Sequence, residues 1–263
     1  MKTRVITAVV GLAFLALVLT FFDTLLFDLT LTGLCLLAIH EVFSAMGFGK
    51  KQWYLYAVTV PFTLLIMISG MQAVRAVLLP CSFLVVLFFN VCQIKNVKTI
   101  DFGRLSGFVY FSGVIIFCFY SLVHLKRVLP FAAYRYDAIY FILLILCFAW
   151  GGDTAAYFAG RAFGKHKLAP VVSPHKTVEG AIGGVCGSIA AGMVLTLVYA
   201  LLSARYHVIT FNVQPYHYLI LAVMGGIASV LGILGDLFAS AVKRQMGIKD
   251  YGTIFPGHGG ILD

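Results

Sequence analysis

From Val5 to Phe22 the chain runs without one charged residue, and stretches of the same kind recur along its length. A helix crosses the hydrocarbon layer of a bilayer with about 20 apolar residues. On that measure eight spans are expected, near 5–22, 24–41, 53–70, 71–94, 105–124, 138–160, 177–203 and 216–242, the second interrupted by Asp28. A soluble globular reading fails on charge. Apolar residues make up 61 % of the 263 and charged residues 11 %, against about 25 % charged in ordinary soluble domains. A surface so poor in charge must be solvated by lipid, so the fold class expected is all-α, a polytopic transmembrane helix bundle in a lipid bilayer. Disorder, a disulfide-stapled module and nucleic-acid binding are excluded with it. The first apolar run is too long, and too closely followed by others, for a cleaved signal peptide. Six scattered cysteines form no CxxC or Cys/His pattern suited to zinc and are read as small hydrophobes.

The formal charge of +9 suits cytoplasmic loops and anionic headgroups, and equally a phosphate-rich substrate. Position decides between these. With the N-terminus in the cytoplasm, most Lys and Arg fall on that side, while Lys126, Arg127, Arg135 and Arg205 fall opposite, with Arg75 near a span's outer end. The 125–137 loop, with three of these cations, runs against the assignment. In the seventh span Gly180, Gly184, Ser188 and Gly192 recur at every fourth position, a spacing that lets helix backbones approach closely. That stripe is assigned to packing.

Two polar stretches remain, 161–176 and 236–263, and polar density in so apolar a chain is where function is sought. If the eighth helix continues past the membrane edge, Asp236, Ser240, Lys243 and Arg244 share one face at i, i+4, i+7 and i+8. Beyond it, Gly247, Gly252, Gly257, Gly259 and Gly260 with Pro256 form a glycine-punctuated loop that can bring backbone N–H groups to an anion. Lys249, Asp250 and His258 lie in it, and Asp263 closes it. Two carboxylates, Asp236 and Asp263, suit magnesium, which takes one or two carboxylates plus substrate phosphates. Upstream, Arg161, Lys165, Lys167 and Lys176 with Ser173 and Thr177 form a basic, hydroxyl-rich strip, entered from Asp153. The string GRAFGK there is not a nucleotide-binding P-loop: the glycines stand too close, and His166 follows the lysine where Ser or Thr is needed. Thr177 and Glu179 are expected to cap the seventh helix. Chemistry alone leaves a nucleotidyltransferase, a lipid phosphatase and an anion carrier open.

The run from Ser240 through Lys243-Arg244, Lys249-Asp250 and Pro256-Gly-His258-Gly-Gly to Asp263 closely resembles the signature of the phosphatidate cytidylyltransferases, the CDP-diacylglycerol synthases. Asp153 to Tyr157, Gly164-Lys165, Leu168-Ala-Pro170, Ser173 to Thr177 and Glu179-Gly180 resemble that family's second motif region. The likeness of motifs covers roughly 150–263; the first 140 residues agree only in being apolar spans. It implies a helical, multi-pass enzyme of the bacterial inner (cytoplasmic) membrane, homodimeric, with its site facing the cytoplasm. The reaction implied joins CTP and phosphatidic acid into CDP-diacylglycerol and pyrophosphate with Mg2+. By matched position, Asp236, Lys243, Arg244 and Asp263 would be catalytic, Asp236 and Asp263 as metal ligands. Asp153, Ser173, Lys176, Ser240, Lys249 and His258 would bind substrate. The organisation expected is an N-terminal group of about five spans over 1–137 and a catalytic region over 138–263. The family pattern continues after Asp263 with Arg, an apolar residue, another Asp and a last span, so the 263 residues are expected to lack that span and full activity.

Overall fold

A computed structural model describes residues 2–69, 72–257 and 259–263, and the side chains among them other than those of 2–5, 72, 73 and 75. His258 therefore lies outside the described residues. The long elements are helices: α1 Lys2–Thr20, α2 Leu25–Ala45, α3 Trp53–Met67, α4 Gln72–Lys95 and α5 Phe102–Val128, then a short α6 Phe131–Tyr134, and α7 Asp137–Phe163, α8 Val178–Tyr206 and α9 Pro215–Gln245. Each of the eight expected spans corresponds to a helix. Six of these, in α2, α4, α5, α7, α8 and α9, are long and apolar enough to cross a membrane. Among the described residues the third expected span is corrected by length: α3 has 15 residues, which rise about 22 Å against a hydrocarbon layer of about 30 Å.

The chain packs as two units, one of residues 1–128 with 248–263, the other of residues 129–247. In the first, α2 lies against α5, with Cys35, Ala38, Ile39 and Val42 of α2 and Leu105, Phe108, Ile115 and Val123 of α5 buried. Phe108 meets Phe43, Phe48 and Phe89 edge to face, a favoured aromatic geometry. The charge that interrupts the second apolar stretch, Asp28, is paired. Lys126 Nζ lies 3.1 Å from Asp28 Oδ1 and donates to the Thr24 carbonyl at 2.7 Å. Arg127 donates to the Met67 carbonyl. The supposed 125–137 loop is thus corrected: α5 runs on to Val128, and its last two cations hold neighbouring helix ends.

In the second unit α7, α8 and α9 pack together around Tyr140, Leu144, Phe148, Ile209 and Leu221. The small-residue stripe of α8 is buried at Gly180, Gly184, Ser188 and Gly192, the close-packing role expected of it. Facing it on α7 are Gly151, Gly152, Ala155, Ala156 and Ala159; a methyl group on Gly187 would sit 2.1 Å from the Ala155 Cβ and 2.8 Å from the Gly151 carbonyl oxygen. Ser188 donates to the Gly225 carbonyl of α9 at 3.0 Å, and Arg135 donates to the His207 carbonyl at 3.0 Å. In the 161–176 stretch, expected as a loop, 161–163 end α7 and a small antiparallel hairpin follows. Its strands are β1 Lys167–Ala169 and β2 Ser173–Thr177, with Lys167 opposite Thr177 and Ala169 opposite Ser173. Pro170, without an N–H, ends the first strand at the turn.

Candidate active site

In the second unit the crossing of α7, β2, α8 and α9 leaves a cavity of about 540 Å³. Its wall includes Asp153, Tyr157 and Arg161 from α7, His175, Lys176 and Thr177 from β2, and Asp236 from α9. The local folding explains the placement. Asp153, Tyr157 and Arg161 stand at i, i+4 and i+8 and so lie on one helix face. The close approach of α7 to α8 fixes that face beside the hairpin. Thr177 ends β2 and caps α8, its Oγ1 accepting from Gly180 N at 3.1 Å, which sets Lys176 at the cavity. Glu179, in the first turn of α8, takes a hydrogen bond from its own backbone N–H, as expected of a capping residue, and also reaches back. It accepts from the Lys165 and His166 backbone N–H groups at 3.1 and 3.2 Å and contacts His166 Nδ1 at 2.6 Å.

Two carboxylates, Asp153 and Asp236, therefore share one cavity with three basic side chains. Lys176 forms an ion pair with Asp236. Such a set can hold a cation between carboxylates and phosphate oxygens against Lys and Arg. Among the described residues no group of three or more His, Cys, Asp or Glu is arranged for a metal; the two carboxylates are a donor set of the size that magnesium uses when water and phosphate complete its shell.

Asp153, Lys176 and Asp236 are thus brought together. α9 continues to Gln245, so Ser240, Lys243 and Arg244 follow Asp236 on its face as expected; Arg244 Nε approaches the Val172 carbonyl at 3.5 Å. Ser173 opens β2. Lys249 and Asp263 belong to the other unit. There Lys249 is exposed, while Asp263 Oδ2 accepts from the backbone N–H groups of Tyr251, Gly252 and Gly260 at 2.7, 3.3 and 3.0 Å. Burial, with the Asp263 charge added, pushes the Tyr251 hydroxyl up to about 12. The expectation that loop amides await an anionic ligand is corrected at these positions: they are taken by a carboxylate of the protein itself.

Sequence reasoning missed Glu41, and gave no role to Tyr157 and His175 although both lie in the second motif region. Glu41, on α2, is 3 % exposed and accepts from Ile261 N at 2.8 Å and Leu262 N at 3.0 Å. Its signal was an acid inside an apolar run, the same that marked Asp28. Their signals were the helical spacing of Tyr157 from Asp153 and the place of His175 beside Lys176 in the motif.

The fold and cavity define a polytopic helical membrane protein with a phosphate-suited charged site. The profile of the cytidylyltransferase family matches residues 2–263, and the chain belongs to that family. It is similar to the phosphatidate cytidylyltransferase of Staphylococcus aureus, 31 % identical over 268 residues that cover 100 % of this chain and 93 % of that protein. The Bacillus subtilis phosphatidate cytidylyltransferase is 36 % identical over 198 residues, 74 % of this chain and 63 % of that protein. The one from Staphylococcus haemolyticus is 40 % identical over 148 residues, 56 % of this chain. In that last comparison the chain spans about half, 52 %, of the relative's length.

Proposed function

We propose that the protein is a membrane-embedded nucleotidyltransferase that condenses phosphatidic acid with CTP, giving CDP-diacylglycerol and pyrophosphate for phospholipid synthesis. A phosphate oxygen of the lipid attacks the α-phosphorus of CTP; that P–O bond forms as the bond from the α-phosphorus to the bridging oxygen breaks, and pyrophosphate leaves with the electron pair. The observation that carries the reading is the cavity in which Asp153 and Asp236 stand among Lys176, Arg161 and His175, in a chain of this family.

Both reactants are anions, so the work is neutralisation and alignment. Lys176 and Arg161 lower the charge of the phosphates entering the cavity. Lys243 and Arg244, with Ser240 one turn nearer Asp236, extend the cationic face toward the triphosphate; Ser173 and, by the family motif alone, Lys249 and His258 would also bind substrate. With Asp236 and Asp263 as the ligands that the family motif implies, magnesium would supply charge neutralisation for the triphosphate oxygens. A phosphate monoester is already largely ionised near neutral pH, its second pKa being about 6, so no strong base is needed. The enzyme works as a homodimer in the cytoplasmic membrane with its site on the cytoplasmic side, the side on which the Lys and Arg excess of the sequence belongs.

The test is CTP-dependent pyrophosphate release by the purified chain in mixed micelles of phosphatidic acid with Mg2+. Release that needs all three, and that Asp236→Asn abolishes, supports the reading. No release, or release indifferent to Asp236→Asn, refutes it.

A further inference from the structure

Glu41 is an acid in the apolar body of α2, and its carboxylate is almost wholly removed from solvent. Burying a carboxylate is tolerated when its oxygens accept hydrogen bonds. Here each oxygen takes one backbone amide, Oε1 from Ile261 and Oε2 from Leu262. The glycines on either side are cut to this carboxylate. A methyl group on Gly252 would lie 2.4 Å from Oε1, and one on Gly260 2.3 Å from it. Asp263 meanwhile turns its own Oδ2 onto Tyr251, Gly252 and Gly260. The segment 251–263 is thus gripped by two carboxylates, one from its own end and one from a helix more than two hundred residues earlier. Phe255 and Gly259 pair across its tip.

We infer that Glu41 is a positioning residue: it seats the 259–263 segment on α2 and thereby fixes where Asp263 is presented. The inference deepens the function proposed above and rests on it for the meaning of Asp263, but the clamp itself is a separate claim. Glutamine at 41 keeps the shape, retains one acceptor and turns an NH2 group toward the other amide, so one charge-assisted hydrogen bond becomes a donor facing a donor.

The experiment compares wild type, Glu41→Gln and Gly260→Ala as the full chain in detergent. Two quantities are read, hydrogen exchange of the 259–263 amides and the Mg2+ concentration giving half-maximal pyrophosphate release. The expectation is exchange at Ile261 and Leu262 faster by about tenfold or more in both variants, with α2 amides unchanged. Half-saturating Mg2+ rises by about tenfold, and excess Mg2+ restores much of the maximal rate. Unchanged exchange at 261 and 262 overturns the clamp. Faster exchange with unchanged Mg2+ dependence overturns the positioning role and leaves Glu41 as structural only. Should the wild type release no pyrophosphate, the proposed function fails. The clamp is then decided by exchange alone, standing if both variants accelerate it and falling if they do not.

Discussion

Removing the Lys176 ammonium separates a stability role from a chemical one. Lys176 pairs with Asp236 at the cavity, their side chains 29 % and 59 % exposed. Two unit charges about 4 Å apart attract by about 4 kcal/mol at an effective dielectric of 20. With Asp236 more than half exposed, however, the net value of such a pair falls to about 0–1 kcal/mol. Lys176→Met should therefore lower thermal stability by only a few degrees. The chemical loss is of another size. The substitution leaves Asp153 and Asp236 facing a polyanion with one cation fewer, and deleting one charge-stabilising donor costs about 10²–10³ in rate. The assay is pyrophosphate release at saturating CTP and phosphatidic acid, paired with thermal unfolding in the same detergent. Lys176→Arg should recover only part of the rate, because a planar guanidinium does not replace a compact ammonium. If Lys176→Met keeps kcat within threefold of wild type, or loses activity only in proportion to folded protein, the assignment of Lys176 to the phosphates is wrong.

Three further outcomes are expected. Gly187→Ala drives a methyl group to 2.1 Å from the Ala155 Cβ and should destabilise by about 1–3 kcal/mol, while Gly226→Ala, with nothing within 4 Å, should be neutral or stabilising; thermal unfolding of the two variants side by side checks this. Asp28 and Lys126, 23 % and 12 % exposed, should give a favourable coupling of about 1 kcal/mol in a double-mutant cycle with Asp28→Asn and Lys126→Met, and a coupling near zero would refute the tie between α2 and α5. The Tyr251 hydroxyl, pushed up to about 12 from an ordinary value near 10, binds its proton more tightly in the folded state. Its contribution is whole below about pH 10 and lost as the pH rises toward 12, so Tyr251→Phe should flatten the fall of stability in that window.

The helices were legible because lipid imposes one simple rule on a spanning segment, uninterrupted apolarity over a fixed length. The stripe at Gly180, Gly184, Ser188 and Gly192 was legible because close helix approach needs small residues at helical spacing, and all four are buried. Asp153 and Asp236 were picked out as acids at the ends of apolar runs and Lys176 as part of the basic strip, and the three line one cavity. The hairpin at 167–177 was not legible: its strands of three and five residues offer too little alternation to register against Pro170 and Pro174. The cations at 126 and 127 misled because a charge tally sees position along the chain and not partners. Lys126 lies against Asp28, nearly a hundred residues earlier, and no local pattern carries that information.

The glycine-rich segment invites one reading from sequence and another from structure, and the difference has a general cause. Backbone amides held in irregular structure must find acceptors wherever water is scarce. A loop dense in glycine and poor in acceptors of its own makes that demand acute, because glycine brings amides close together without bulk to cover them. The sequence answers it with an anion to be bound; the structure answers it with Glu41 and Asp263, which between them take the amides of Tyr251, Gly252, Gly260, Ile261 and Leu262. The small residues at 252 and 260 are then required by the Glu41 carboxylate, 2.4 and 2.3 Å from any Cβ placed there, whatever the loop binds. An acid buried in an early helix and glycines in a distant loop are thus one device, and substituting either end should produce the same loosening of the segment that ends in Asp263.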